Sequence, residues 1–184
     1  MTLALLTDRT LIAVSGADAE HLLHNVITSN LENLPRGVAR PGALLTPQGK
    51  VLFDFLVWRQ MDANFIIDIR SDQVEPFTKR MMLYKLRSEV TFAPVDGKDI
   101  AVCFDDQSPA APGTVRDARF ADTTVTRSMV EAGSIGYDET ENAKWNTLRI
   151  DHGVVEGGVD YTLGDAFPHD VSLDQNAGVD FKKG

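Results

Sequence analysis

The chain has 184 residues, 43% hydrophobic and 24% charged, with 27 Asp+Glu against 18 Lys+Arg and one Cys. At that length a single core buries about 70% of the unfolded chain's surface without disulfide or metal staples, and a lone thiol forms no internal disulfide, so the chain belongs to a reducing compartment or is indifferent to redox. Residues 1–95 are neutral, with 10 acids and 10 bases, whereas residues 96–184 carry 17 acids and 8 bases and hence the whole net charge of −9; such a surface repels phosphate backbones, which argues against nucleic-acid binding. No apolar run approaches the roughly 18 residues of a membrane span, so no membrane partner is expected. Residues 1–6 run directly into Asp8 and Arg9, without the basic region and cleavage site of a signal peptide or the Arg-rich character of a transit peptide. The expectation is a cytoplasmic protein.

Residues 11–14 read as a short strand, and Ser15-Gly16 turns it. Asp18 stands where an N-cap or first-turn acid of a helix belongs. Leu22, Leu23, Val26 and Ile27 follow at three- and four-residue spacing, an amphipathic helix to about Thr28. Pro35, Gly37, Pro41 and Gly42 mark a loop. The clearest local signal is a hairpin: residues 43–45, then Thr46-Pro47-Gln48-Gly49, then a strand over 50–58, with Pro and Gly at the second and fourth positions of a type I turn. Residues 65–69 read as a third strand. Residues 73–87 read as a helix with Val74, Phe77, Met81 and Tyr84 toward the core and a basic cluster of Lys79, Arg80, Lys85 and Arg87, which is either a solvated face or a landing site for a small polyanion. Residues 90–92 look like another strand.

Beyond Pro94 the texture changes, which divides the chain into 1–93 and 94–184. A strand is expected over 100–104, a loop over 108–113, a weakly strand-like stretch over 115–125 and a helix over 139–150 carrying Trp145 and Leu148. The Gly-rich tail from Asp151 has no periodic element. Strands and helices mix without regular βαβ alternation, which points to an α+β fold.

Asp54 is the most informative single residue. Both faces of its strand are apolar (Val51, Phe53, Phe55 and Val57 on one, Leu52, Leu56 and Trp58 on the other), so the strand is covered on both sides. A carboxylate there must be hydrogen-bonded or paired, as a functional acid or as an aspartate satisfied by a backbone amide or an arginine. Asp68, within Ile66-Ile67-Asp68-Ile69, poses the same question. Cys103 is alone, and cluster ligation normally takes four cysteines. His21 and His24 lie three apart on a helix without an acidic partner at ligand spacing, and His152 and His169 are isolated, so no metal site is expected. No phosphate loop and no nucleophile elbow is present.

Several segments taken together resemble one family. Asp8-Arg9-Thr10-Leu11-Ile12-Ala13-Val14-Ser15-Gly16 is similar to the opening of the YgfZ family, folate-binding relatives of the glycine-cleavage T-protein (aminomethyltransferase). Ala43 to Lys50 followed by Phe53-Asp54-Phe55 matches that family's hairpin, and Met82-Leu83-Tyr84-Lys85-Leu86-Arg87 its helix end. Trp145, Arg149-Ile150 and Gly153-Val154-Val155-Glu156-Gly157 resemble a further segment. So do Phe167-Pro168-His169-Asp170 and Gly178-Val179-Asp180-Phe181-Lys182-Lys183-Gly184. The family's signature continues with a cysteine after that glycine, so the resemblance implies a piece that stops before the signature cysteine and the family's C-terminal β-barrel.

The resemblance implies a T-protein-like fold of mixed and antiparallel sheets with packed helices, 1–93 being the first subdomain with the folate hairpin and 94–184 the second with the signature-loop segment. It implies tetrahydrofolate or a derivative as cofactor. Asp54 then stands at the position of an acid facing the folate's reactive nitrogens, catalytic if the protein is an enzyme. Asp170 stands where a glutamate reads the pterin's donor edge, since a carboxylate offers two acceptors in one plane. Tyr84 lines the cavity, and Lys85 and Arg87 attract the glutamate tail. The family's Thr-Asn-Asp after the first helix reads Thr28-Ser29-Asn30 here. The function implied is a bacterial cytoplasmic tetrahydrofolate-binding accessory protein that supports assembly or repair of iron–sulfur enzymes, with those enzymes or assembly proteins as partners. The alternatives are an aminomethyltransferase and a scaffold that has lost folate.

Overall fold

Among the residues described by the computed structural model (2–60, 65–104 and 113–183), nine strands form one continuous sheet. They are β1 (Thr2–Leu6), β2 (Arg9–Ser15), β3 (Val38–Leu45), β4 (Val51–Arg59), β5 (Phe65–Arg70), β6 (Thr91–Pro94), β7 (Lys98–Phe104), β8 (Thr114–Asp117) and β9 (Thr126–Glu131). Their spatial order is β1-β7-β9-β8-β3-β4-β5-β2-β6. Neighbours are antiparallel except at the centre, where β3 runs parallel to β8 through Val38↔Arg116 and Ala39↔Asp117. Helices α1 (Ala19–Val26), α2 (Val74–Lys85) and α3 (Glu139–Asp151) pack on this sheet, with 3-10 turns at Ser71–Gln73 and Pro168–Val171. The architecture is α+β, as the missing βαβ alternation suggests.

The apolar periodicities account for the layers. Phe53, Phe55 and Val57 of β4 face Leu22 and Leu23 of α1 and Phe77 and Met81 of α2, with the Phe77 ring edge-on to Phe53 and Phe55 at 5.6 and 5.4 Å. Leu56 and Trp58, on the other face, join a second core with Phe104, Phe120 and Trp145 of α3. β4 is therefore covered on both sides. A third, smaller cluster joins Ala43 and Val51 to Leu173. The hairpin turn forms as expected: the Gly49 N–H donates to the Thr46 carbonyl at 2.9 Å, and Gly49 sits at φ +84 with a register shift at Leu44/Leu45, a type I turn closed by a glycine bulge.

Four local expectations are corrected. Pro41 and Gly42 lie inside β3 rather than in a loop. The Ala39 carbonyl accepts from Ala118, and Ala43 bonds Thr28 through both its N–H and its carbonyl. Pro41, two residues from each, faces the same edge in the gap between them, so its missing N–H costs no ladder bond. Gly42 is needed because a Cβ would lie 2.8 Å from Ser29 Oγ. The weak strand at 115–125 ends at Asp117, and β9 follows unannounced. Asp18 is the N-cap residue of α1, as expected, but its side chain makes no cap bond; its carboxylate accepts the Glu89 N–H at 2.8 Å and ties α1 to the approach to β6. Tyr84 is 39% exposed rather than packed in the core. The loop expected at 108–113 falls, apart from Gly113, outside the described residues.

Candidate functional site

Asp54 projects from β4 into a loop that wraps it. The Gly157 N–H donates to its Oδ2 at 2.8 Å, and Tyr161 lies near enough to feel the same carboxylate's charge. Burial, reinforced by the Asp54 charge, pushes the Tyr161 phenol well above its ordinary value. Position 157 favours glycine: a Cβ there would lie 2.5 Å from Leu163 Cδ2 and 2.7 Å from Asp54 Oδ1, so both side chains would have to shift. The cavity beside Asp54, lined also by Arg9, Arg119, Glu156 and Leu173, has a volume of about 30 Å³. That is room for a water or two.

Behind this cavity lies a buried lattice of charge. Arg9 Nε donates to Asp68 Oδ1 at 2.7 Å, and Arg127 Nη1 to Asp68 Oδ2 at 2.5 Å. Arg127 Nε and Arg119 Nη2 both reach Asp117 Oδ2, at 3.0 and 2.7 Å. Glu156 approaches Arg119 at 3.7 Å. Burial alone would raise the Asp68 and Asp117 carboxyls, but the adjoining guanidinium groups outweigh it and hold both below the ordinary carboxylate range. Glu156 is lowered too, against its burial, first by Arg9 and then by Arg119. Arg127 thus bridges β5 to β8, side chain against side chain, where the two halves of the sheet share only two backbone pairs. Arg127 Nη2 and Glu156 Oε1 remain without a hydrogen-bond partner.

A larger groove, of about 400 Å³, lies on the α1/α2 side between Asn25, Thr28, Leu44, Leu45, Tyr84, Asp180 and Lys183. Its wall is built by the segment 178–183 docking on 27–30. The Thr28 hydroxyl donates to the Gly178 carbonyl at 2.5 Å, Asn30 Nδ2 to Asp180 Oδ2 at 2.9 Å, and Lys183 Nζ to the carbonyls of Ser29 (2.9 Å) and Ile27. Burial pushes the Lys183 amine down to about 8. The groove accommodates a fused bicyclic ring; the cavity at Asp54 does not.

The five residues singled out in the sequence are spread over separate places. Asp54 lines the small cavity, Tyr84 the groove, and Arg87 a third hollow with Asp18, His21, Leu86 and Ser88. Lys85 lies half-buried at the end of α2. Asp170 is exposed and caps its own 3-10 turn, accepting the Phe167 N–H at 2.9 Å, beside the stacked rings of Phe167 and His169. His24 accepts the Leu31 N–H, and His21 bonds Asn25. Sequence reasoning flagged Asp68 but not its arginines: Arg9 stands 59 residues away in the chain, as does Arg127, which lies in a stretch where no strand was expected. It quoted both 28–30 and 178–183 without pairing them, since nothing local joins segments 150 residues apart.

No protein-family model matches the chain. It is similar to mitochondrial iron–sulfur cluster assembly factor IBA57 homologs of three fungi. Identity is 27% to that of Chaetomium globosum over 99% of this chain, 27% to that of Neurospora crassa over 97%, and 28% to that of Pyricularia oryzae over 97%. The chain spans about half the length of these relatives (50%, 47% and 50%). Among solved structures it is similar to glycine cleavage system aminomethyltransferase T of Bartonella henselae, with a TM-score of 0.57 and 14% identity over 81% of this chain and 45% of that one. The relatives are mitochondrial proteins, which overturns the expectation of a bacterial cytoplasmic one; a lone cysteine fits any reducing compartment. The fold is that of the glycine-cleavage T-protein, and the sequence is similar to iron–sulfur cluster assembly factors.

Proposed function

We propose that this chain is the folate-binding part of an accessory protein that supports assembly of iron–sulfur enzymes. The observation that carries the reading is the combination of a T-protein-type fold with similarity, over nearly the whole chain, to iron–sulfur cluster assembly factors. Tetrahydrofolate would lie in the groove beside Tyr84, whose ring offers a face for the heterocycle. The Asp180 carboxylate, on the same wall, is held by Asn30 and the Lys182 N–H and has remaining lone pairs to accept from ring N–H groups. Lys85, next to Tyr84, and Arg87 beyond it supply positive charge for the glutamate tail. Asp54 stands apart in a cavity too small for a pterin, its carboxylate held by the Gly157 N–H. Its role in this reading is to order the 156–161 loop. Asp170 does the same for its own turn.

The reading is tested in cells depleted of the full-length protein, by following the activity of an iron–sulfur enzyme. Full-length wild type restores it, and Tyr84→Ala restores less. Full restoration by a variant that no longer binds tetrahydrofolate contradicts the folate part. Ammonia release from an aminomethylated lipoyl carrier by the purified full-length protein favours a transferase instead.

A further inference from the structure

The end of α2 exposes more apolar surface than a folded chain ordinarily leaves in water. Met82, Leu83 and Leu86 are 50%, 68% and 86% exposed. With Lys79 they follow the spacing of one helical stripe, i, i+3, i+4 and i+7, on the side of the helix away from the buried Phe77 and Met81. Leu86 terminates the helix at φ +47 and ψ −108. That conformation is costly for any residue with a Cβ, yet it holds a leucine that packs on almost nothing. An open hollow of about 720 Å³ adjoins it, lined by Asp18, His21, Leu86, Arg87 and Ser88.

Charge says what would cover this face. Between Glu75 and Glu89 the sequence has four cations (Lys79, Arg80, Lys85 and Arg87) and no acid. This is a basic rim around an apolar stripe on a chain whose net charge is otherwise negative. Asp18 and Glu75 are carboxylates at its border: Asp18 is engaged by the Glu89 amide, and Glu75 pairs with Lys79 at 2.6 Å, which leaves Arg80, Lys85 and Arg87 to form the rim. An anionic membrane would repel a chain whose net charge is −9. A nucleic acid would leave the three apolar side chains unmatched. We propose that the α2 stripe is a docking site for an acidic amphipathic segment of another protein, its apolar side chains laid on Met82, Leu83 and Leu86 and its carboxylates against the basic rim. This goes beyond the folate reading, because Arg80, Met82 and Leu83 take no part in the groove.

The test titrates the full-length protein into a fluorescein-labelled helical peptide with leucines on one face and glutamates elsewhere. Controls are the same peptide with lysines for glutamates and vesicles of phosphatidylcholine with phosphatidylserine. The glutamate peptide binds saturably, and its affinity falls at least about tenfold in Leu83→Glu and clearly in Arg80→Glu. Raised salt weakens it as well. Both substitutions are at exposed positions, and unchanged tetrahydrofolate binding in each variant separates this result from failure of the groove. Equal affinity of wild type and Leu83→Glu overturns the proposal. So does equal binding of the lysine peptide, binding to vesicles in place of the peptide, or self-association that Leu83→Glu abolishes.

Discussion

Replacing Asp68 by Asn is expected to cost more stability than any comparable surface change, because the carboxylate neutralises two arginines at once. Asp68 is fully buried, with Arg9 on one oxygen at 2.7 Å and Arg127 on the other at 2.5 Å. An amide keeps the volume but removes the charge and turns an NH2 donor toward one of the two guanidinium donors. Removing one partner of a buried pair costs about 3–5 kcal/mol; here Arg9 loses its paired carboxylate and Arg127 keeps only Asp117, at 3.0 Å. With a urea dependence of about 2 kcal/mol per molar, that loss moves the unfolding midpoint down by roughly 1.5–2.5 M. The control is Asp72→Asn, which breaks the exposed pair with Arg70 at 2.9 Å and is expected to cost less than about 1 kcal/mol. The same lattice sets the acid sensitivity. Asp68 and Asp117 titrate lower in the folded chain than in the unfolded one, so their contribution is complete above the unfolded value of about 3.9 and is lost as pH falls through the folded values. The assay is urea unfolding followed by circular dichroism at neutral pH and down to pH 3. An Asp68→Asn midpoint indistinguishable from that of Asp72→Asn would refute the reasoning.

Three further outcomes are expected. Gly157→Ala drives a methyl into Leu163 and Asp54 and should lower stability by about 1–3 kcal/mol, read by thermal unfolding; an unchanged midpoint means that the loop does not hold Asp54 as described. Leu86→Gly removes the strain at φ +47 with almost no burial to lose and should raise stability by about 1 kcal/mol, while weakening the peptide docking proposed above. The Lys183 amine should titrate near 8 rather than its ordinary 10.5 in an NMR titration. Because the unfolded chain binds more protons between those values, this group makes the fold more stable as pH rises through that window, and a midpoint at 10.5 would remove Lys183 from its half-buried clasp.

Much of the fold was legible where a pattern is local. The hairpin around Gly49, the two-sided burial of β4 and the Phe77/Met81 face of α2 each follow from spacing alone. What stayed hidden depends on distant partners. Pro41 reads as a loop residue unless one knows that the edge of β3 is unpartnered at that position. β9 carries Arg127 in its interior, and a buried arginine is intelligible only with Asp68 and Asp117 in view. The site was legible in part. Asp54 was correctly seen as a carboxylate on a covered strand, and the bland alternative, a backbone amide as its partner, is what Gly157 supplies. The groove beside Tyr84 was missed as a geometry because Asp180 and Lys183 enter it from the far end of the chain.

The most direct measurement is isothermal calorimetry of tetrahydrofolate with the full-length protein and its Tyr84→Ala and Asp54→Asn variants. The account predicts saturable binding to wild type, at least about tenfold weaker in Tyr84→Ala and little changed in a folded Asp54→Asn protein. Binding that Asp54→Asn abolishes and Tyr84→Ala leaves intact, or no binding to wild type, would contradict it.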